Sequence, residues 1–102
     1  MRMISLTGRL TADPELKEFD RDERKIKRLT FSLANNDYGK ENPEFFDVVC
    51  WDGVADWGAQ YLKKGSRILL VGAPRMEQYE SKQDGKKRNH FKITGERIEF
   101  LA

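Results

Sequence analysis

Phe45-Phe46-Asp47-Val48-Val49-Cys50-Trp51 carries the alternation on which the reading of the fold turns. Side chains along a strand point to opposite faces in turn, so Phe46, Val48 and Cys50 share one face. Phe45, Asp47, Val49 and Trp51 share the other. The first set is suited to a core. The second puts two large aromatics where a half-buried strand is ordinarily polar. Either the strand is buried on both faces, or it displays flat rings to flat apolar partners such as unpaired nucleobases.

Downstream, Asp52-Gly53 opens the one convincing helix, expected over Val54 to Lys64. Val54, Trp57, Gly58 and Tyr61 recur at helical spacing and form one amphipathic face. Asp52 is placed to cap it, Lys63-Lys64 suit its negative end, and Gly65 is a natural stop. The spacing makes Trp57 a core side chain rather than a displayed ring. Arg67 to Val71 is the next strand, and Pro74 after it implies an edge or a bulge. The chain continues extended through Gln83, with Arg75, Glu77 and Tyr79 on one face. Asp84-Gly85 is a hairpin turn. Asn89 to Leu101 returns, and its apolar parity switches from Phe91 and Ile93 to Ile98 and Phe100, which predicts a β-bulge at Gly95.

Upstream, Asn35 to Glu44 is a polar loop that holds Tyr38, read as a surface clamp or a ligand contact. Lys25 to Ala34 is a strand with Leu29, Phe31 and Leu33 inward. Met1 to Leu10 is another, with Ile4, Leu6, Gly8 and Leu10 on one face and Arg9 on the other. Thr11 to Pro14 is a turn in which Asp13 can bond its own backbone. Glu15 to Arg24 is charged and weakly patterned, a strand extension or a loop. Five strands with one helix between the third and fourth give an all-β, five-stranded OB-fold barrel, a single domain over residues 1–102. The full helix disfavours a five-stranded SH3-like barrel.

At 102 residues the chain is long enough for a modest core without disulfides or metal. A charged share of 35% against 38% hydrophobic describes a soluble globular chain, with no membrane-spanning run and no signal peptide, hence a cytoplasmic address. The lone Cys50 fits a reducing compartment. A net charge of +2 says little, but its distribution says more. Residues 1–51 hold 9 Lys/Arg and 10 Asp/Glu, whereas residues 52–102 hold 10 and 7. The basic clusters are Lys63 to Arg67 and Lys82 to Arg88; a third, Arg24 to Arg28, is partly neutralised by the neighbouring Asp20 to Glu23.

Little supports catalysis. One His and one Cys lie far apart in sequence, and there is no metal-ligand spacing, phosphate loop or nucleophile elbow. No cofactor or metal is expected. Cys50 reads as a small core side chain and His90 as a surface or phosphate-side residue. Binding assembles better. Phe45 and Trp51 share an outward face, Arg75 and Tyr79 share a face of the hairpin, and Lys82, Lys86, Lys87 and Arg88 sit near its tip. Aromatic platforms ringed by cations match what a single strand demands: stacking at about 1–3 kcal/mol per base, with phosphate neutralisation.

Ile4 to Leu16, with Gly8-Arg9-Leu10-Thr11-Ala12-Asp13-Pro14-Glu15-Leu16 at its heart, resembles the opening of bacterial single-stranded DNA-binding proteins. Glu44 to Trp51 is similar to that family's third strand, and Tyr61-Leu62-Lys63-Lys64-Gly65-Ser66 to the end of its helix. Val71-Gly72, Arg75, Tyr79 and Asp84-Gly85-Lys86 match its hairpin, and Ile98 to Leu101 its last strand. The matches run in order over nearly the whole chain.

The resemblance implies an OB-fold, cooperative binding of single-stranded DNA in replication, recombination and repair, and a homotetramer of dimers paired through the first strand. It implies base stacking by Phe45, Trp51 and Tyr79, with Tyr38 near a fourth aromatic position. Arg9 and Arg75 match positions that are often basic or polar in the family. Three departures stand out. The chain stops at Ala102, without the family's flexible linker and acidic recruiting tip, so contact with replication or repair proteins would lack its usual route. The loop before Glu44 is short. Asp47 puts a negative charge on the binding face. The tail-less length keeps a second reading open: a dimeric primosomal adaptor, similar to primosomal replication protein N, that works through protein contacts.

Overall fold

The computed structural model describes residues 1–101 as six strands and one helix. These are β1 (Ile4–Leu10), β2 (Glu15–Arg21), β3 (Arg24–Asn35), β4 (Glu44–Trp51), α1 (Asp52–Tyr61), β5 (Arg67–Glu80) and β6 (Lys87–Phe100). The sheet runs β1-β5-β6-β4-β3-β2, and β1 also pairs with β3 at Arg9 and Leu10. That second pairing closes the sheet into a barrel. All pairings are antiparallel except β4 with β6, which run parallel over Asp47↔Lys92, Val48↔Ile93 and Val49↔Thr94. This is the OB-fold, and the expected fold class holds.

The strand alternation fills the barrel as anticipated. Leu29 and Leu33 of β3, Cys50 of β4, Ile68 and Leu70 of β5 and Ile93 of β6 are all fully buried. Each large apolar side chain withdrawn from water in this way contributes about 1.5–3 kcal/mol. Phe46 packs against this cluster and meets Phe91 edge-on, with ring centroids 6.4 Å apart. The predicted bulge is present: Val71 pairs with Arg97 but Gly72 with Gly95, so Glu96 is the extra residue. The apolar parity of β6 switches across it. Gly95 sits so tightly there that a Cβ would lie 2.7 Å from Cys50 Sγ. Pro74 lies in β5 beyond Gly72, where pairing with β1 has ended, so it occupies an edge.

Several local expectations are corrected. The ambiguous stretch after Pro14 is a full strand, β2, hydrogen-bonded to β3 from Glu15↔Thr30 to Arg21↔Arg24. Asp22 and Glu23 turn this hairpin with φ of 52° and 64°. Asp13 does not bond its own turn; its Oδ1 accepts the Lys64 N–H at 2.8 Å and ties the turn to the segment after the helix. The helix starts and ends earlier than Val54–Lys64. Asp52 does not cap it, since no side chain does so. Its Oδ1 accepts the Lys27 N–H at 3.3 Å instead. The helix breaks at Leu62, so Lys63 and Lys64 fall outside the last turn and Gly65, at φ 86°, serves the following turn.

Lys27 Nζ donates to Asp56 at 2.8 Å, a bond that raises the ammonium's pKa and fastens the helix to β3. Trp57 is half-buried against the core, with Tyr61 and Phe100 each at 5.4 Å between centroids. It is a core residue, as its spacing predicts. Among the described residues, no helix is long and apolar enough to cross a membrane. The hairpin tip is wider than a two-residue turn, running from Ser81 to Lys86 between the last pair, Glu80↔Lys87. Asp84 organises it by accepting from the Lys86 N–H and the Arg88 guanidinium, which hold its carboxyl below the usual range.

Two consequences are measurable. A positive φ costs a non-glycine residue about 1–2 kcal/mol, and two-residue hairpins with both centres at positive φ favour Asn-Gly. Replacing Asp22-Glu23 by Asn-Gly therefore raises stability by about 1 kcal/mol in urea unfolding. Separately, burial pushes the Cys50 thiol up to about 12. A thiol reagent at about pH 8 should leave Cys50 unmodified until urea unfolds the chain.

Candidate nucleic-acid interface

Directly opposed residues in neighbouring strands share a sheet face, so the register identifies one continuous outer surface. On β3 it carries Arg28, Thr30, Ser32 and Ala34, which face Trp51, Val49, Asp47 and Phe45 on β4. On β6 it carries Arg88, His90, Lys92 and Thr94, which face Tyr79, Glu77, Arg75 and Ala73 on β5. The parallel β4–β6 pairs join the two halves by setting Asp47 beside Lys92 and Val49 beside Thr94. A groove of about 610 Å³ runs along this surface between the Thr11–Glu15 turn and the hairpin, with Trp51, Arg28, Asp47, Arg75 and Lys92 in its wall. A second hollow continues toward the hairpin tip between Asp47, Glu77, Tyr79, His90 and Lys92.

The aromatics are displayed rather than buried. Phe45 is 64% exposed, Tyr79 48% and Trp51 38%. A strand buried on both faces is thereby excluded. Tyr79 meets the His90 ring edge-on at 6.3 Å, which steadies it in the middle of the ribbon. Tyr38 is exposed in the loop that joins β3 to β4, at the Phe45 end of the surface.

The cations divide into held and unheld groups. Arg88 is held by Asp84 at 2.7 Å, on the same row as Tyr79. Lys92 is held by Glu77 at 3.1 Å. His90 Nε2 lies 2.8 Å from Asp47 Oδ2. Arg75 and Arg28 have no carboxylate partner among the described residues and line the same groove. The Nε of Arg28 is also buried without a hydrogen-bond partner. Arg9 aligns with Ala34, which aligns with Phe45, and its guanidinium donates to the Gly65 carbonyl at 3.1 Å. Lys82 and Lys86 sit in the exposed turn, near but outside the sheet. Lys87 pairs with Glu80, one position out of step with Tyr79, and so belongs to the opposite face of the ribbon.

The structure therefore brings Phe45, Trp51, Arg75, Tyr79 and Arg88 onto one face. Tyr38, Arg9, Lys82 and Lys86 lie at its margins, and Lys87 turns away. Sequence reasoning missed Arg28 and Lys92. Arg28 has the same parity as Thr30 and Ser32, so the alternation that placed those outward would have placed it with them. Lys92 falls between the inward Phe91 and Ile93, but its position beside Asp47 depends on a pairing that no local signal announces. The surface offers stacking rings, hydroxyls and a few cations. Among the described residues no cluster of His, Cys, Asp or Glu is suited to hold a metal ion.

Comparison with known proteins agrees with this fold. The sequence model of the Single-strand binding protein family matches residues 1–101. A single-stranded DNA-binding protein of Fusobacterium nucleatum is 32% identical over 105 residues, which cover 98% of this chain and 66% of that protein. Single-stranded DNA-binding protein 1 of Nostoc sp. is 29% identical over 102 residues, covering 100% of this chain and 84% of its own length. The crystal structure of wild-type single-stranded DNA binding protein from Thermus aquaticus is similar in fold, with a TM-score of 0.78 at 22% identity. It is matched over 100% of this chain and 41% of its own. The chain thus spans just under two thirds of the Fusobacterium protein and less than half of the Thermus one.

Proposed function

The chain belongs to the single-strand binding protein family, and we propose that its β3–β4–β6–β5 face binds single-stranded DNA without regard to sequence and without catalysis. One observation carries this reading: Trp51, Phe45 and Tyr79 stand exposed on the same face as the unpaired guanidinium groups of Arg75 and Arg28. Every base has a flat face to stack, so rings accept any sequence, while cations track the backbone. Duplex DNA hides those faces. The one described helix packs against β3 and β4 on the far side of the core and offers no recognition surface.

The biological setting follows from the same chemistry. A protein that covers unpaired bases would coat and protect strands exposed in replication, recombination and repair. Assembly as a homotetramer of dimers is part of this proposal. It is supported by β1, whose second edge pairs with β3 only at Arg9 and Leu10, has its Thr7 carbonyl taken by Asn35 Nδ2 at 2.8 Å, and is unpaired from Ile4 to Leu6. An adaptor that works only through protein contacts would leave the grouped rings and guanidinium groups without a use.

Fluorescence titration with oligo-dT tests the proposal. The chain has two tryptophans, and Trp57 is packed between Tyr61 and Phe100, so quenching should come from Trp51. Trp51→Ala should lose the quench and about 1–3 kcal/mol of binding while melting like the parent. Affinity should fall with added salt, and a duplex of equal length should leave emission unchanged. No binding by either quench or mobility shift would sink the reading.

A further inference from the structure

We propose that His90 is a further phosphate-binding residue of this face, competent only when its ring is protonated, so that strand affinity falls as pH rises. The inference deepens the single-strand reading and rests on it. It begins with a count: the chain has one histidine, and that histidine lies on the binding surface, two residues along β6 from Lys92 and two from Arg88. Its Nε2 is 2.8 Å from Asp47 Oδ2, and Asp47 stands between Phe45 and Trp51 on the outward side of β4.

The charged and titratable groups around this pair come from each strand that packs on it. From β4 there is Asp47. From β5 there are Glu77, directly across from His90, and Tyr79, whose ring meets the imidazole. From β6 itself there are Arg88 and Lys92. Arg88 is compensated by Asp84 and Lys92 by Glu77, so both stay balanced across the neutral range. The His90–Asp47 pair does not. A histidine changes charge between about pH 5 and 8. With the ring protonated the pair is neutral overall. With the ring neutral, Asp47 leaves an uncompensated negative charge amid the stacking residues, where phosphates pass.

The sign follows from linkage. Phosphate near the ring favours the protonated form, so binding takes up a proton. Affinity is highest at low pH, declines as pH passes through the histidine range, and is then flat. Each unit by which bound phosphate strengthens the ring's hold on its proton multiplies affinity by ten. Both partners sit at the surface, with side chains 39% and 51% exposed, so the pair can open to admit a phosphate oxygen without disturbing the core.

Oligo-dT titration between about pH 5.5 and 8, at constant ionic strength, tests this with a strand whose bases do not titrate in that window. Wild-type affinity should be about three- to tenfold higher at the acid end. His90→Gln should flatten the profile near its alkaline value. Asp47→Asn should bind more tightly than wild type at the alkaline end. Calorimetric titration near pH 7, in two buffers of different ionisation heat, should register net proton uptake in wild type and its loss in His90→Gln. A wild-type profile no steeper than that of His90→Gln, with binding intact, overturns the role of His90 alone. No binding at any pH overturns the single-strand reading beneath it.

Discussion

The short parallel pairing of β4 with β6 is the constraint on which the candidate interface depends. Only Asp47↔Lys92, Val48↔Ile93 and Val49↔Thr94 define it, yet it performs two tasks. It buries Val48 against Ile93, both at most 2% exposed, and so joins the inner faces of the strands into one core. In the same step it brings the outer face of the β5–β6 hairpin alongside Trp51 and Phe45. A one-residue slip of β6 against β4 would turn Lys92 inward and expose Ile93. The core therefore enforces the geometry of the surface: the hairpin's Arg75 reaches the groove, and Tyr79 the hollow that continues it, because two aliphatic side chains must meet beneath.

Charge on this face is arranged by subtraction. Glu77 and Asp84 engage Lys92 and Arg88, and Asp47 bonds the His90 ring, which leaves Arg28 and Arg75 unclaimed beside the displayed rings. The distinction matters more than a tally of basic residues. An exposed ion pair contributes about 0–1 kcal/mol to stability, so the pairs do little to hold the barrel together. Their effect is on the potential that a polyanion meets: a paired lysine gives up its carboxylate before it serves a phosphate, whereas an unpaired arginine in a groove is already poised. Arg28, with its Nε removed from water and unpartnered, is the most committed of these cations. It lies in the cluster whose linear neighbours suggested neutralisation.

What was legible in the sequence, and what was not, divides along physical lines. Strands with one apolar face announced themselves, which is why β3, β4 and the first half of β5 lie where alternation placed them. The parity switch between Ile93 and Ile98 announced the bulge, because an inserted residue is the economical way to keep both on the core side. β2 was ambiguous because all seven of its residues are exposed, so no burial pattern marks it. Its turn, Asp22-Glu23, also lacks the glycine that makes such hairpins readable. The helix boundary moved because Asp52 is engaged by β3, a tertiary partner invisible to local capping rules. The rings and Arg75 could be found from parity alone. The ion pairs on this face could not, since each but Arg88–Asp84 joins residues whose proximity is created by strand pairing.

In the proposed function these features would shift the balance of forces on a bound strand from phosphate toward base. Surface charges are screened over about 8–10 Å at ordinary ionic strength, so cations act on a polyanion mainly at close range. Within the groove, Glu77 holds Lys92 and Asp47 bonds the His90 ring before any strand arrives. In the proposed function three displayed rings, at about 1–3 kcal/mol for each base stacked, would act beside two unpaired guanidinium groups. Stacking needs bases that are unpaired but makes no demand on their identity. In the proposed function such a face would select against duplex, because the bases there are already stacked on one another. Discrimination between single and double strands would then rest on Phe45, Trp51 and Tyr79, and the carboxylates would strengthen it by withholding the charge that would let any nucleic acid adhere.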